Sequence, residues 1–196
     1  MHELLQTGGL FWITSRAAGT AALVLASLAV GIGLLSSTSS PMGRKLADSK
    51  SLHEALSLAT LAALVVHGLS LLGDTYVGYS PTEIAVPFAS NYQPFFTGLG
   101  VIGFWGLAAL GLSYYQRSRI GVARWKKLHR LTAAFWLLGL IHSIGMGTDR
   151  GATWFLVMIG VTAGPAFILL LARWLPEDRP DRVNPALDMD LSEGRY

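Results

Sequence analysis

The chain has 196 residues, of which 52% are hydrophobic and only 14% charged, with a net charge of +3 and no cysteine. A soluble domain carries about 25% charged residues, so this composition disfavours an extended soluble enzyme, a disordered chain and a nucleic-acid binder. The missing cysteines also remove disulfides, thiolate metal sites, iron–sulfur clusters and thiolate-attached haem, which leaves five histidines to carry any ligand chemistry.

A spanning helix needs about 20 mostly apolar residues. Five segments qualify in chain order, at about residues 10–35, 52–72, 95–115, 128–146 and 153–174. Turn or polar residues bound them at 36–41, Gly73-Asp74, 91–94, 116–127, 147–151 and Pro176. The first segment reads as a retained anchor, because its apolar run exceeds the roughly 7–15 residues of a cleavable signal and its basic residues follow it.

The short loops fix an orientation. Arg44, Lys45 and Lys50 follow the first segment. Arg117, Arg119, Arg124, Lys126 and Lys127 follow the third, with Arg130 just inside the fourth. The loop after the second, residues 74–93, has no Lys or Arg, and the loop after the fourth has only Arg150 beside Asp149. With five spans in the cytoplasmic membrane, the amino terminus is expected outside and the carboxyl terminus inside. The pI of about 9.4 is then a topology signal, and no nucleic-acid partner is expected. The fold expected is an all-α integral membrane bundle of five transmembrane helices over residues 1–175, in contact with lipid, with a short flexible cytoplasmic tail at 176–196. No loop or tail offers room for a soluble flavin or nucleotide domain.

His53 and His67 lie 14 positions apart on the second helix, and His129 and His142 lie 13 apart on the fourth. Fourteen residues rise about 21 Å and return to within about 40° of the same helix face. The second helix therefore presents two imidazoles at two depths, and the fourth matches both. Two histidines facing one another at one depth make the axial pair of a b-type haem, and two depths make two haems. Thirteen residues leave His142 about 140° from the face of His129, so a tightened turn or kink is expected, with Gly139 as the candidate place. Single membrane histidines also serve as interhelical hydrogen-bonders or proton relays. Zinc is a weaker competitor, because ligands of one tetrahedral ion converge. His2 reads as a solvated terminal residue.

With these pairs on alternate helices, the chain resembles the ferric reductase-like transmembrane family. That family includes the membrane parts of ferric reductases and NADPH oxidases, and the haem subunit of a periplasmic methionine sulfoxide reductase system. Further resemblance lies in residues 12–22 (WITSRAAGTAA), 87–100 (PFASNYQPFFTGLG) and 125–149 (WKKLHRLTAAFWLLGLIHSIGMGTD). It implies a bundle holding two b haems between the second and fourth helices, with electrons moving outward from the cytoplasmic side. It assigns His53 and His129 to an inner haem, and His67 and His142 to an outer one. Many members have six spans, and the larger ones carry a flavin and nicotinamide domain that is not seen here. A separate flavin- or nicotinamide-dependent donor protein is therefore expected, with a ferric chelate, an oxygen species or a flavoprotein as outer acceptor.

Arg16 lies in the outer half of the first segment, where a buried arginine marks a partner. An outer-haem propionate is the favoured one; snorkelling to the surface and an internal carboxylate are the alternatives. Lys50, Arg124, Lys127 and Arg130 are inner candidates for the same role. Phe104, Trp105, Phe135 and Trp136 are candidates for packing on haem, whereas Trp12, Trp125, Trp154 and Trp174 read as interfacial anchors. The apolar, proline-stiffened loop at 74–93 has the composition of a lid. The function expected is transmembrane electron transfer by an oxidoreductase or its electron-transfer subunit. The alternatives are a quinone or superoxide reaction at the outer haem, and a haem-handling or proton-coupled transporter. Within the helices only Glu54 supplies a carboxylate for a proton path.

Overall fold

The computed structural model describes residues 2–38 and 50–173, with side chains in the first helix from residue 9 onward. Arg44, Lys45, Trp174 and the expected tail at 176–196 lie outside the described residues. All described secondary structure is helical. In chain order the helices are α1 (His2–Ser36), α2 (Lys50–Leu71), a short α3 (Pro81–Ala85), α4 (Pro94–Leu112), α5 (Arg117–Ile120), α6 (Val122–His129), α7 (Thr132–Met146) and α8 (Thr153–Ala172). A 3-10 turn, Ser113–Gln116, joins α4 to α5.

Four stretches are long and apolar enough to cross a membrane: Gly9–Ser36, Lys50–Leu71, Pro94–Ile120 and Thr153–Ala172. Large apolar side chains face outward along them, among them Leu28, Val65, Leu69, Phe95, Val161 and Ile168. In water such surfaces would be an aggregation hazard, whereas lipid accepts them. This is an integral membrane protein in contact with lipid.

The run at 128–146, expected as one continuous span, is divided between α6 and α7. Helix α7 has 15 residues, about 22 Å of helix, short of a full crossing on its own. The expected position of the kink is corrected: the division falls at Arg130–Leu131 and not at Gly139. There Leu131 N–H bonds to Leu128 O at 2.9 Å and Ala134 N–H to Leu131 O at 3.0 Å, both closing three-residue turns. The Thr132 hydroxyl donates to the His129 carbonyl at 2.7 Å. Each residue of such a tightened turn advances about 120° instead of about 100°. The overwinding supplies part of the rotation that the 13-residue spacing demands.

Packing is built on two helix pairs, α1 with α2 and α4 with α7, while α8 lies against α1. Between α2 and α7 there is little close packing. Trp136 of α7 anchors the middle of the bundle. It is 1% exposed, packs with Ala26, Ala163 and Ala166, and donates from Nε1 to Ser27 Oγ at 3.1 Å. The Ser27 hydroxyl in turn donates to Leu23 O, so both polar groups are satisfied in apolar surroundings.

Candidate functional site: two histidine pairs between α2 and α7

The four membrane histidines meet as two pairs. His53 and His129 stand 6.1 Å apart between ring centres with planes at 77°. His67 and His142 stand 6.3 Å apart at 76°. The pairs thus repeat one geometry at the two ends of α2, and the imidazoles reach across a space that the helices leave open.

Three of the rings are held in the same way. His67 Nδ1 donates to Ser15 O at 2.8 Å, His53 Nδ1 to Ala29 O at 3.0 Å and His142 Nδ1 to Phe96 O at 2.9 Å. In each case a glycine follows that carbonyl by four residues: Gly19, Gly33 and Gly100. A Cβ would lie 2.9 Å from His67 Nδ1 at Gly19, 3.3 Å from His53 Cε1 at Gly33, and 2.6 Å from His142 Nδ1 at Gly100. Glycine lets the ring lie on the helix backbone and reach a carbonyl one turn back. Gly19 and Gly33 are 14 residues apart on α1, matching the 14 of His53 and His67 on antiparallel α2. With Nδ1–H engaged, Nε2 carries the free lone pair, as a metal-ligating imidazole requires.

Ser15, 3% exposed, adds a second tie. Its hydroxyl donates to His67 O at 3.1 Å and lies 3.0 Å from His67 Nδ1. No local pattern marks Ser15 in the sequence; for Gly19 the signal is the 14-residue glycine spacing.

His129 is held differently. Its Nδ1 is buried and makes no hydrogen bond of good geometry, the Leu110 carbonyl supplying only a weaker backbone contact. Trp125 stacks on the ring at 4.7 Å and 26°, so this tryptophan contacts a candidate ligand where an interfacial anchor is expected from its position.

A cavity of about 420 Å³ adjoins the His67–His142 pair, lined also by Gly19, Gly100, Trp136 and Met146. Arg16 lies at its edge and forms an ion pair with Asp149. Its guanidinium also stands 4.3 Å from the centre of the Trp12 ring. Asp149 thus lies within reach of Arg16, and Arg150 donates to Gly145 O. Phe104 and Trp105 line this cavity, with Trp105 tied through Nε1 to Ala85 O at 2.9 Å. Phe135 covers Gly106 on α4. Lys50, Arg124, Lys127 and Arg130, the cations expected at the inner side, are exposed.

The loop at 73–93 folds back over this end: Val77, Tyr79, Ile84 and Tyr92 line the cavity. Phe88 adopts a left-handed φ of 63°, rare for a bulky residue, and its ring covers Gly98. Ser80 and Glu83 form a capping box at α3, and Glu83 also accepts from Asn91 N–H at 3.1 Å. Hydrogen bonds from the Ser80 N–H and hydroxyl, then from Asn91, hold the Glu83 carboxyl below its ordinary value. A depressed carboxyl stabilises the folded loop above its unfolded pKa and loses that contribution as pH falls through the folded one. The Asn91 amide should therefore stay protected through the ordinary glutamate range. Hydrogen exchange corrected for intrinsic rates checks this, and loss of protection within that range contradicts it.

The class defined so far is a helical membrane protein with two facing histidine pairs at two depths. Residues 18–140, more than half of the chain, match the family of the ferric reductase-like transmembrane component, and the chain belongs to that family. The match includes His53, His67 and His129 and stops two residues before His142, which the fold sets opposite His67. The family commonly binds haem and is associated with electron transfer across membranes. No solved structure matches the chain.

Proposed function

We propose that this protein carries electrons across the cytoplasmic membrane through two b-type haems, the inner held by His53 and His129 and the outer by His67 and His142. The observation that carries the reading is the repeated pair geometry. A metal–imidazole bond is about 2.0 Å, and a ring centre lies about 1.15 Å from its nitrogen, so two imidazoles on opposite sides of one ion stand about 6.3 Å apart. The pairs stand at 6.1 and 6.3 Å. Among the described residues no three His, Cys, Asp or Glu side chains gather around one point. Two nitrogens per site suit an ion whose other positions a macrocycle fills. The outer cavity falls within the roughly 300–1,000 Å³ typical of ligand sites.

When bound, each haem iron supplies one-electron exchange between its ferric and ferrous states. The chain's own residues set the ligand direction through Nδ1, exclude water with Trp136 and the folded-back loop, and place Arg16 for an outer propionate. Asp149 serves as the counter-ion of Arg16 otherwise. His67 and His142 would hold a haem as a facing pair, and it would supply one-electron transfer to an acceptor at the end of the bundle that the folded-back loop covers. Residues 122–146 together form a fifth crossing, with the amino terminus outside and the basic segment at 117–130 inside. A separate flavin- or nicotinamide-dependent protein donates at the inner face. A ferric chelate, an oxygen species or a flavoprotein accepts at the outer face.

A reduced-minus-oxidised spectrum of the purified chain, with haem quantified per polypeptide, tests the reading. The expected result is b-type bands at two haems per chain; one haem or none overturns it.

A further inference from the structure

The seam between α2 and α4 is closed at its inner end and open at its outer end. Towards the inner end the Tyr115 hydroxyl donates to Glu54 Oε1 at 2.7 Å, and Leu61 reaches α4 where a Cβ on Gly111 would stand 3.8 Å from its Cδ1. Elsewhere the two helices make few close contacts, and the cavity at the His67–His142 pair runs into the seam.

The lining shows where it leads. Leu64, Gly68, Val65 and Leu69 all line the cavity, and at about 100° per residue they lie about 60°, 100°, 160° and 200° around α2 from His67, in one sense. On α4, Phe104, Val101 and Trp105 line it too, about 40°, 100° and 140° from Gly100 in the same sense. The helices are antiparallel, so equal senses turn both rows into the seam. Val65 and Leu69, on the face of α2 away from His67, are 45% and 58% exposed, and Trp105 is 51% exposed. The cavity therefore opens sideways, onto the surface that meets lipid.

Helix α3 bridges the opening, tied by Trp105 Nε1–H to Ala85 O at 2.9 Å. On the opposite wall Gly68 leaves open space, because a Cβ there would meet nothing within 4 Å. Glycine inside a helix runs against intrinsic preference, and unlike Gly19, Gly33 and Gly100, Gly68 has no ring lying on it.

Building on the di-haem reading above, we propose that this gap is the side entrance through which the outer site exchanges haem with the lipid, and that Trp105 is its shutter. Haem is a flat, largely apolar molecule that dissolves in bilayers, and the passage past Leu64, Gly68 and Val101 offers it a path without water. The folded-back loop covers the outer end of the cavity, whereas the seam leaves its side open. The bond to Ala85 O holds the Trp105 ring across that opening.

The full chain in lipid nanodiscs, mixed with excess apomyoglobin, tests the proposal through the absorption of the haem transferred. The His67→Ala background gives the inner haem's rate. Trp105→Phe keeps a ring but loses the bond to Ala85 O, and it should speed release of the outer haem about fivefold, the factor for one net hydrogen bond. Trp105→Ala should release it faster still. Gly68→Phe fills the gap from the opposite wall and should slow release. A mere disturbance beside His67 would speed it, so slowing is specific to a blocked path. Gly68→Leu stands in should that variant not fold. The inner rate should stay the same throughout. Trp105 variants no faster than wild type, a Gly68→Phe chain no slower, or equal changes at both haems overturns the proposal. The same holds if Gly68→Phe slows only reduction by a lipid-soluble quinol, which would give the gap another occupant. A chain without haem overturns the di-haem reading itself, so the two failures are distinct.

Discussion

On the di-haem reading, His67→Ala and His142→Ala should each abolish the outer haem and leave the inner one, so haem per chain is expected to fall by half while the inner potentiometric wave persists. His53→Ala and His129→Ala should do the reverse. The separation follows from the fold. The pairs sit 14 residues apart along α2, about 21 Å, and three of the rings are fixed by their own local partners: Ser15 O for His67, Phe96 O for His142 and Ala29 O for His53. Removing one imidazole deletes one of only two protein ligands and leaves its partner's nitrogen unpaired in a buried site. A bound iron retained at full occupancy with a single axial nitrogen, or equal loss at both depths from every variant, would contradict the assignment. Haem quantification beside an electron paramagnetic resonance spectrum distinguishes the cases, because a site with one remaining histidine changes from low to high spin.

Much of this arrangement is legible in the residues. Depth is linear in residue number along a helix, so the 14- and 13-residue spacings, on two alternate helices that run in the same direction, match His53 in depth with His129 and His67 with His142. The hydropathy runs locate four membrane helices to within a few residues. The break at Arg130–Leu131 is not legible in position. Neither glycine nor proline marks it, and it arises from a tertiary demand that both histidines of the 13-residue pair face α2. The role of Trp125 is hidden for a related reason. A tryptophan near a span end and a tryptophan four residues before a histidine on the same helix are the same residue here, and only the fold decides which neighbour the ring meets. The need of Arg16 for a partner is legible, but the chain supplies Asp149 from 133 positions away, a distance that local patterns do not bridge.

Alanine at the three cradle glycines should damage the sites in the order Gly100, Gly19, Gly33. An alanine in a helix interior is ordinarily favoured over glycine by about 1 kcal/mol, so these three positions run against intrinsic preference and need a local cause. The cause is the ring lying on the backbone. At Gly100 the new Cβ would stand 2.6 Å from His142 Nδ1, at Gly19 2.9 Å from His67 Nδ1, and at Gly33 3.3 Å from His53 Cε1. The first two require the imidazole to move, and moving it breaks its bond to Phe96 O or Ser15 O. Loss of a hydrogen bond that orients a ligating histidine costs about 10–100-fold in affinity for the bound group, and overpacking adds about 1–3 kcal/mol. Gly100→Ala and Gly19→Ala should therefore deplete the outer haem selectively, and Gly33→Ala should weaken the inner one least. Gly160 on α8, where a Cβ would meet nothing within 4 Å, is the control: Gly160→Ala should keep both haems and unfold at the same temperature or slightly higher. Full outer-haem occupancy in Gly100→Ala would show that the glycine is dispensable and that His142 finds its geometry without the Phe96 carbonyl.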